Sequence, residues 1–165
     1  MLSGLGADQA RAAGEVIGEE NFDLVVASPL QRSWRSALIV APGRRIRLEA
    51  GFREIDFGRW EGLTREEIEA RDPALYREWQ QQGLEFGFPD GDRREDFRAR
   101  VIAGLSRLMV LPVTSMLIVA HKGTVRTIVE KLSDAKLRRD QPPLGGLLEL
   151  NRTTEQSWKL SEPDS

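Results

Sequence analysis

The stretch VAHKGTVR, residues 119–126, holds His121, the only histidine in the 165-residue chain. The residues before it, 115–120, read SMLIVA, a short apolar run that predicts a buried strand. The residues after it, 123–133, read GTVRTIVEKLS and predict a helix. A histidine is thus placed where a strand hands over to a helix. In an open parallel sheet that is where ligands bind, beyond the carboxyl ends of the strands.

A second stretch of the same kind lies upstream. Residues 23–27, DLVVA, predict a buried strand, and Ser28-Pro29 ends it. A helix is expected over 30–41, with Pro29 suited to its first turn. Ser28 to Arg32, SPLQR, therefore repeats the combination of strand end, helix start and basic residue. Helix N-termini present free N–H groups and a partial positive charge, so they favour anions. Two of them, with Arg32 and His121 alongside, would make a phosphate pocket. Taken singly, each residue also has a plain structural reading: a satisfied histidine at a strand end, a solvated arginine on a helix.

The rest of the chain alternates in the same way. Helices are expected over 5–20, about 65–71, 73–82 and 92–109, and strands over 46–48, 147–151 and 156–160. Thr64 with Glu67 reads as a capping box, Leu63 with Ile68 as a hydrophobic staple, and Asp72 and Asp92 as further helix starts. Residues 52–63, FREIDFGRWEGL, have no clean period. Strands alternating with helices predict an α/β fold with three layers around a mostly parallel sheet. One domain over 1–160 is expected, with 161–165 as a disordered tail.

Composition excludes several classes. There is no cysteine, hence no disulfide framework and no thiol nucleophile. One histidine rules out a multi-histidine metal site, so no metal and no cofactor are expected. A net charge of −2 gives no support to nucleic-acid binding, and no apolar run approaches a membrane span. Of the 24 basic residues 20 are Arg, whose planar fork suits phosphate; an excess this general reads as compositional bias, so only individual positions carry weight.

Five blocks in order resemble one family, the histidine phosphatase superfamily, which includes the cofactor-dependent phosphoglycerate mutases and many small phosphatases. They are LSGLGADQARAAGEVI (2–17), ASPLQRSWRSA (27–37), FREIDFGRWEGLTREEI (52–68), PDGDRREDFRARV (89–101) and VAHKGTVRTIV (119–129). The resemblance implies a phosphoglycerate mutase-like fold and phosphoryl transfer through a histidine. It implies Arg32 as a phosphate ligand, Glu54 as the acid/base and His121 as the second histidine of the site. Lys122 stands where the family commonly has Gly or Ser, and is placed either on the phosphate or in solvent. Asp92-Arg93 replaces a usual Glu-Ser, which keeps a carboxylate and loses a hydroxyl.

The family's nucleophilic histidine, in an Arg-His-Gly motif ending a first strand, has no counterpart in the sequence. The resemblance therefore implies a chain that starts beyond that strand, lacks activity by itself, and self-associates through the sheet edge left open. A natural non-catalytic anion-binding relative is the alternative reading, and a mutase-type phosphoryl transferase a further one. Only 66 residues separate Glu54 from His121, which resembles the phosphatase branch rather than the mutases with their longer insert. The expected partner is a small phosphorylated metabolite, and the expected compartment the cytoplasm. Trp60, Tyr76, Trp79, Phe86 and Phe88 either line an apolar entrance or pack the small helices onto the body; for Tyr76 and Trp79 packing is expected.

Overall fold

The structure, a computed structural model, describes residues 2–138, 140–154 and 157–161. It divides into two compact units, one of residues 1–54 with 101–165 and one of Ile55–Arg100. The elements in chain order are α1 (Gly4–Ile17), β1 (Leu24–Ala27), α2 (Gln31–Val40), β2 (Ile46–Leu48), α3 (Arg65–Arg71), α4 (Pro73–Gln81), α5 (Arg94–Met109), β3 (Met116–Val119), α6 (Lys122–Leu132), β4 (Glu149–Arg152) and β5 (Trp158–Ser161). Single 3-10 turns occur at Ala50–Phe52 and Gly58–Trp60.

In the first unit β1 is the centre of a parallel sheet of order β2-β1-β3. Its β-branched run explains the position: Val25, Val26 and Ala27 are at most 2% exposed. Val25 and Ala27 point to one face, where Ala37, Ala41 and Trp34 of the α2 region cover them together with Leu117 and Val119 of β3. The alanines of α1 do the rest. Ala10 and Ala13 let that helix lie close to Val40 and Leu117. Gly14 allows the same approach, since a Cβ there would stand 3.5 Å from the Val40 backbone.

The register of β1 against β3 is pinned at both ends. Before the strands, the Asp23 carboxylate accepts from the Thr114 N–H and hydroxyl and the Ser115 N–H, while its own N–H donates to Ser115 Oγ. Beyond them, the Ser28 N–H donates to the Val119 carbonyl. Along β3 all four residues stay partly exposed, and among the described residues β1 is its one sheet neighbour. β4 and β5 form a separate antiparallel pair, Glu149 opposite Ser161. That pair begins two residues later than the sequence suggests. Gln156, expected in the second strand, and Glu162–Ser165 of the expected tail lie outside the described residues; Ser161 closes β5.

The second unit is held by aromatic packing. Trp60, Ile68, Tyr76, Phe86 and Phe88 form its core, with Trp79, Phe57 and Leu63 packed against them. Phe86 and Phe88 are 1% and 6% exposed, so both pack into the core of this unit. The capping box of Thr64 and Glu67 is present and starts α3 as the sequence predicts. Two other expected helix starts do different work. Asp72 makes no side-chain cap for α4; its carboxylate accepts from the Trp60 indole at 2.7 Å and from Arg59. Asp92 accepts from the Asp56 N–H and from Arg100. A charge-assisted bond to a buried indole outweighs a cap that water can replace.

The aperiodic stretch around Asp56–Gly62 owes its shape to two glycines. Gly58 sits at φ +55°, and a Cβ on it would lie 2.0 Å from the Pro89 carbonyl. Gly91 faces it from the other side, where a Cβ would lie 2.4 Å from the Asp56 carbonyl. At Gly58 both the dihedral and the space exclude a side chain, and at Gly91 the space does. Gly58→Ala is therefore expected to destabilise this unit by about 2 kcal/mol or more, read as a shift of the urea midpoint followed by tryptophan fluorescence. An unshifted midpoint would contradict the close approach.

Candidate functional site

β1 and β3 run parallel with Ala27 opposite Val119, so their carboxyl ends lie side by side. Each strand then turns directly into a helix. Leu30 is the N-cap of α2 and His121 that of α6, and neither makes a side-chain cap bond. Two helix N-termini with free N–H groups thus start next to one another. Pro29 precedes the N-cap instead of opening the helix, two positions earlier than its usual helical place.

Serines tie the two turns together. Ser33 Oγ donates to the Val119 carbonyl at 2.6 Å and accepts from the Ser28 N–H at 3.2 Å. Ser28 is fully buried, and its hydroxyl lies 2.9 Å from His121 Nε2. On the other side of the ring, His121 Nδ1 lies 3.9 Å from Glu54 Oε2. That is beyond a hydrogen bond but close enough for an imidazolium to feel the carboxylate. The imidazole is 7% exposed. Burial pulls its pKa down from 6.5 to about 4, and the positive charge of Arg32 adds to the shift. His121 is therefore neutral at pH 7 in the free chain, with one ring nitrogen donating and the other accepting.

His121 and Glu54 thus stand 3.9 Å apart, and the charge of Arg32 reaches the His121 ring. Lys122 opens α6, and its ammonium donates to the Asp140 carbonyl at 2.8 Å, which occupies one of its three N–H bonds. Arg126, one turn further on, donates to the carbonyls of Leu137, Arg138 and Gln141 and anchors the loop after α6. Among the described residues no group of three His, Asp or Glu side chains converges as metal ligands would. No described helix is long and apolar enough to cross a membrane.

Three supporting contacts went unread in the sequence, although Ser28 itself was placed at the end of its strand. Ser28 is legible afterwards as the polar residue that ends a fully buried strand. Thr124 is buried on the first turn of α6, and its hydroxyl donates to the Phe52 carbonyl at 3.3 Å, which fixes the chain two residues before Glu54. Glu49 is buried at the end of β2 and caps the Ala50–Phe52 turn through the Gly51 N–H at 2.9 Å. Burial works to raise its pKa, but bonds from Arg107 and Gly51 hold it below the usual carboxylate range. Gly104 makes room for it; a Cβ there would stand 3.1 Å from Glu49 Oε1. No sequence signal separates Glu49 from the other acidic residues.

A model of the histidine phosphatase superfamily (branch 1) matches residues 1–160. Over 129 residues the chain is 34% identical to a bifunctional protein of Mycobacterium tuberculosis, a match that covers 75% of this chain and 35% of that protein. The chain thus spans about a third of the length of the first curated relatives it matches. Over 160 residues it is 31% identical to glucosyl-3-phosphoglycerate phosphatase of Mycobacterium tuberculosis, covering 88% of this chain and 70% of that one. The solved structure of mycobacterial glucosyl-3-phosphoglycerate phosphatase with inorganic phosphate superposes with a TM-score of 0.74 at 27% identity, over 99% of this chain and 87% of the other. An α-ribazole phosphatase from Shigella flexneri shares the fold, with a TM-score of 0.78 at 22% identity over 100% of this chain and 84% of the other.

The depressed pKa of His121 makes stability depend on acid. An unfolded histidine binds its proton near pH 6.5 and the folded one only near 4, so protons favour the unfolded chain between those values. The stabilisation is complete above about pH 6.5 and lost as pH falls towards 4. Between pH 7 and pH 5 the chain should lose about 2 kcal/mol through this group alone, measured by urea unfolding against His121→Gln at both pH values. Equal pH slopes in the two proteins would contradict the neutral buried imidazole.

Proposed function

The chain belongs to the histidine phosphatase superfamily, and from that premise we propose that it serves hydrolysis of small phosphate monoesters through a phosphohistidine intermediate. The observation that carries this reading is the neutral His121 against Ser28, with Glu54 at 3.9 Å and the charge of Arg32 on it, at two adjoining helix N-termini. Such a place is short of negative charge. A phosphate dianion entering it meets the Arg32 guanidinium and uncapped N–H groups, and it favours the imidazolium form of His121. The remaining N–H bonds of Lys122 would add donors from the first turn of α6. The cost of holding His121 neutral is thus recovered when the anion binds.

In this reading Glu54 protonates the leaving alkoxide as the P–O bond breaks, and later takes a proton from the water that frees phosphate from the phosphohistidine. The nucleophilic histidine is a residue other than His121. His121 is the sole histidine of these 165 residues, and its Nε2 is engaged with Ser28. The relative 31% identical over 160 residues is a glucosyl-3-phosphoglycerate phosphatase, which supports hydrolysis over mutase-type transfer.

The test compares this chain with the same chain preceded by a strand ending in Arg-His-Gly, on 4-nitrophenyl phosphate. The 165-residue chain should show no turnover and should associate in sedimentation, because β3 offers an open edge. The extended chain should be monomeric and active, and Glu54→Gln should lower its kcat by about 100-fold or more. Turnover by the unextended chain that is lost on His121→Ala would make His121 the nucleophile. Phosphate binding without turnover in either form would favour the non-catalytic anion-binding relative.

A further inference from the structure

Ser28 ends the run of β1 with a hydroxyl that solvent does not reach; the residue is 0% exposed. A hydroxyl has one proton to give and two lone pairs to receive with. One lone pair of Ser28 Oγ takes the Leu30 N–H at 3.3 Å. Among the described residues its one other hydrogen-bond partner is His121 Nε2, at 2.9 Å. The Ser28 backbone is held in place beside the ring, since its N–H donates to the Val119 carbonyl and to Ser33 Oγ.

Two arrangements of one proton compete on the neutral imidazole. With the proton on Nε2, the ring donates to Ser28, and the hydroxyl proton is left buried without an acceptor. With the proton on Nδ1, Nε2 accepts from the hydroxyl, and the buried side of the ring is satisfied. The other side of the ring agrees. Nδ1 lies 3.9 Å from Glu54 Oε2, where a carboxylate attracts a ring N–H and repels a ring lone pair. Glu54 is the weaker of the two influences, because 3.9 Å is beyond hydrogen-bond reach while the hydroxyl is in contact.

We propose that Ser28 is a positioning residue that fixes His121 as the Nδ1–H tautomer, giving its own proton to Nε2 and leaving the ring N–H on the Glu54 side. The tautomer stands on the geometry of this junction. Only the use of that N–H by a phosphate oxygen rests on the phosphatase reading.

The chain has one histidine, so the imidazole signals of a proton–nitrogen correlation spectrum belong to His121, and couplings to the ring C–H protons tell its two nitrogens apart. At about pH 8 the ring is neutral even at the ordinary histidine pKa. There Nδ1 should resonate as a protonated, pyrrole-type nitrogen and Nε2 as a bare, pyridine-type one, the reverse of the tautomer that predominates for free histidine in water. The Nδ1–H form should lead by about 5-fold or more, which corresponds to the least cost, about 1 kcal/mol, of a buried donor without an acceptor. Glu54→Gln should keep this pattern, and Ser28→Ala should lose it, with Nε2 moving towards the protonated range. A protonated Nε2 in the unaltered chain would overturn the proposal with no variant needed. An unchanged pattern in Ser28→Ala, or a pattern lost in Glu54→Gln, would overturn it as well. Inorganic phosphate added to the unaltered chain tests the other reading separately: ring signals of the expected tautomer that ignore it would leave the role of Ser28 standing and count against the anion site.

Discussion

The pairing of β1 with β3 is the constraint on which the site depends. It is closed from both ends by side chains that belong to neither strand. Asp23 gathers the start of β3 with three accepted bonds, and Ser33 reaches from α2 to the last carbonyl of β3. With the register so fixed, Ser28 and His121 must leave the sheet together, and α2 and α6 must begin together. A slip of one residue would turn His121 to the opposite face and separate its ring from Ser28. Packing sets the depth: the nearly inaccessible Val25–Ala27 run puts this junction at the edge of a dry core. There an imidazole loses its proton and a helix N-terminus keeps its field.

Much of this was legible in the sequence because it rests on local patterns. The apolar runs before Ser28 and before His121 are short, β-branched and bounded by turn residues, so strand and helix could be placed from pattern, whereas Glu54 was named from the family resemblance. The capping box at Thr64 and Glu67 is a four-residue signal and appears where it should. What escaped is chemistry decided across long separations. Asp72 looks like a helix cap because Pro73 follows it, but Trp60, twelve residues upstream, offers a stronger partner. Glu49 is one acid among 26 until Arg107 and Gly104 are folded against it. Phe86 and Phe88 were ambiguous since an aromatic in a loop can face either way; their mutual edge-to-face contact at 5.2 Å settles them into the core of their unit.

The two units use charge differently. Around Asp56–Gly62, carboxylates are structural: Asp56 holds the Gly58 N–H, Asp92 the Asp56 N–H, and Asp72 an indole. Every one of those acids is spent on a donor and shapes the loop that two glycines make possible. At the ends of β1 and β3 the balance is reversed. There two helix N-termini without side-chain caps start side by side, one base is held neutral, and the nearby acid stands 3.9 Å from it. In the proposed function an anion completes this junction, which would link proton binding and anion binding at His121.

The most direct measurement of that linkage is the titration of the His121 ring by proton NMR, free of overlap because the chain has no other histidine. In the free protein the ring should titrate at about 4. With saturating inorganic phosphate the midpoint should rise by at least about one unit, because the bound anion opposes both burial and the charge of Arg32. A midpoint near the ordinary histidine value of about 6.5, unchanged by phosphate, would contradict the account.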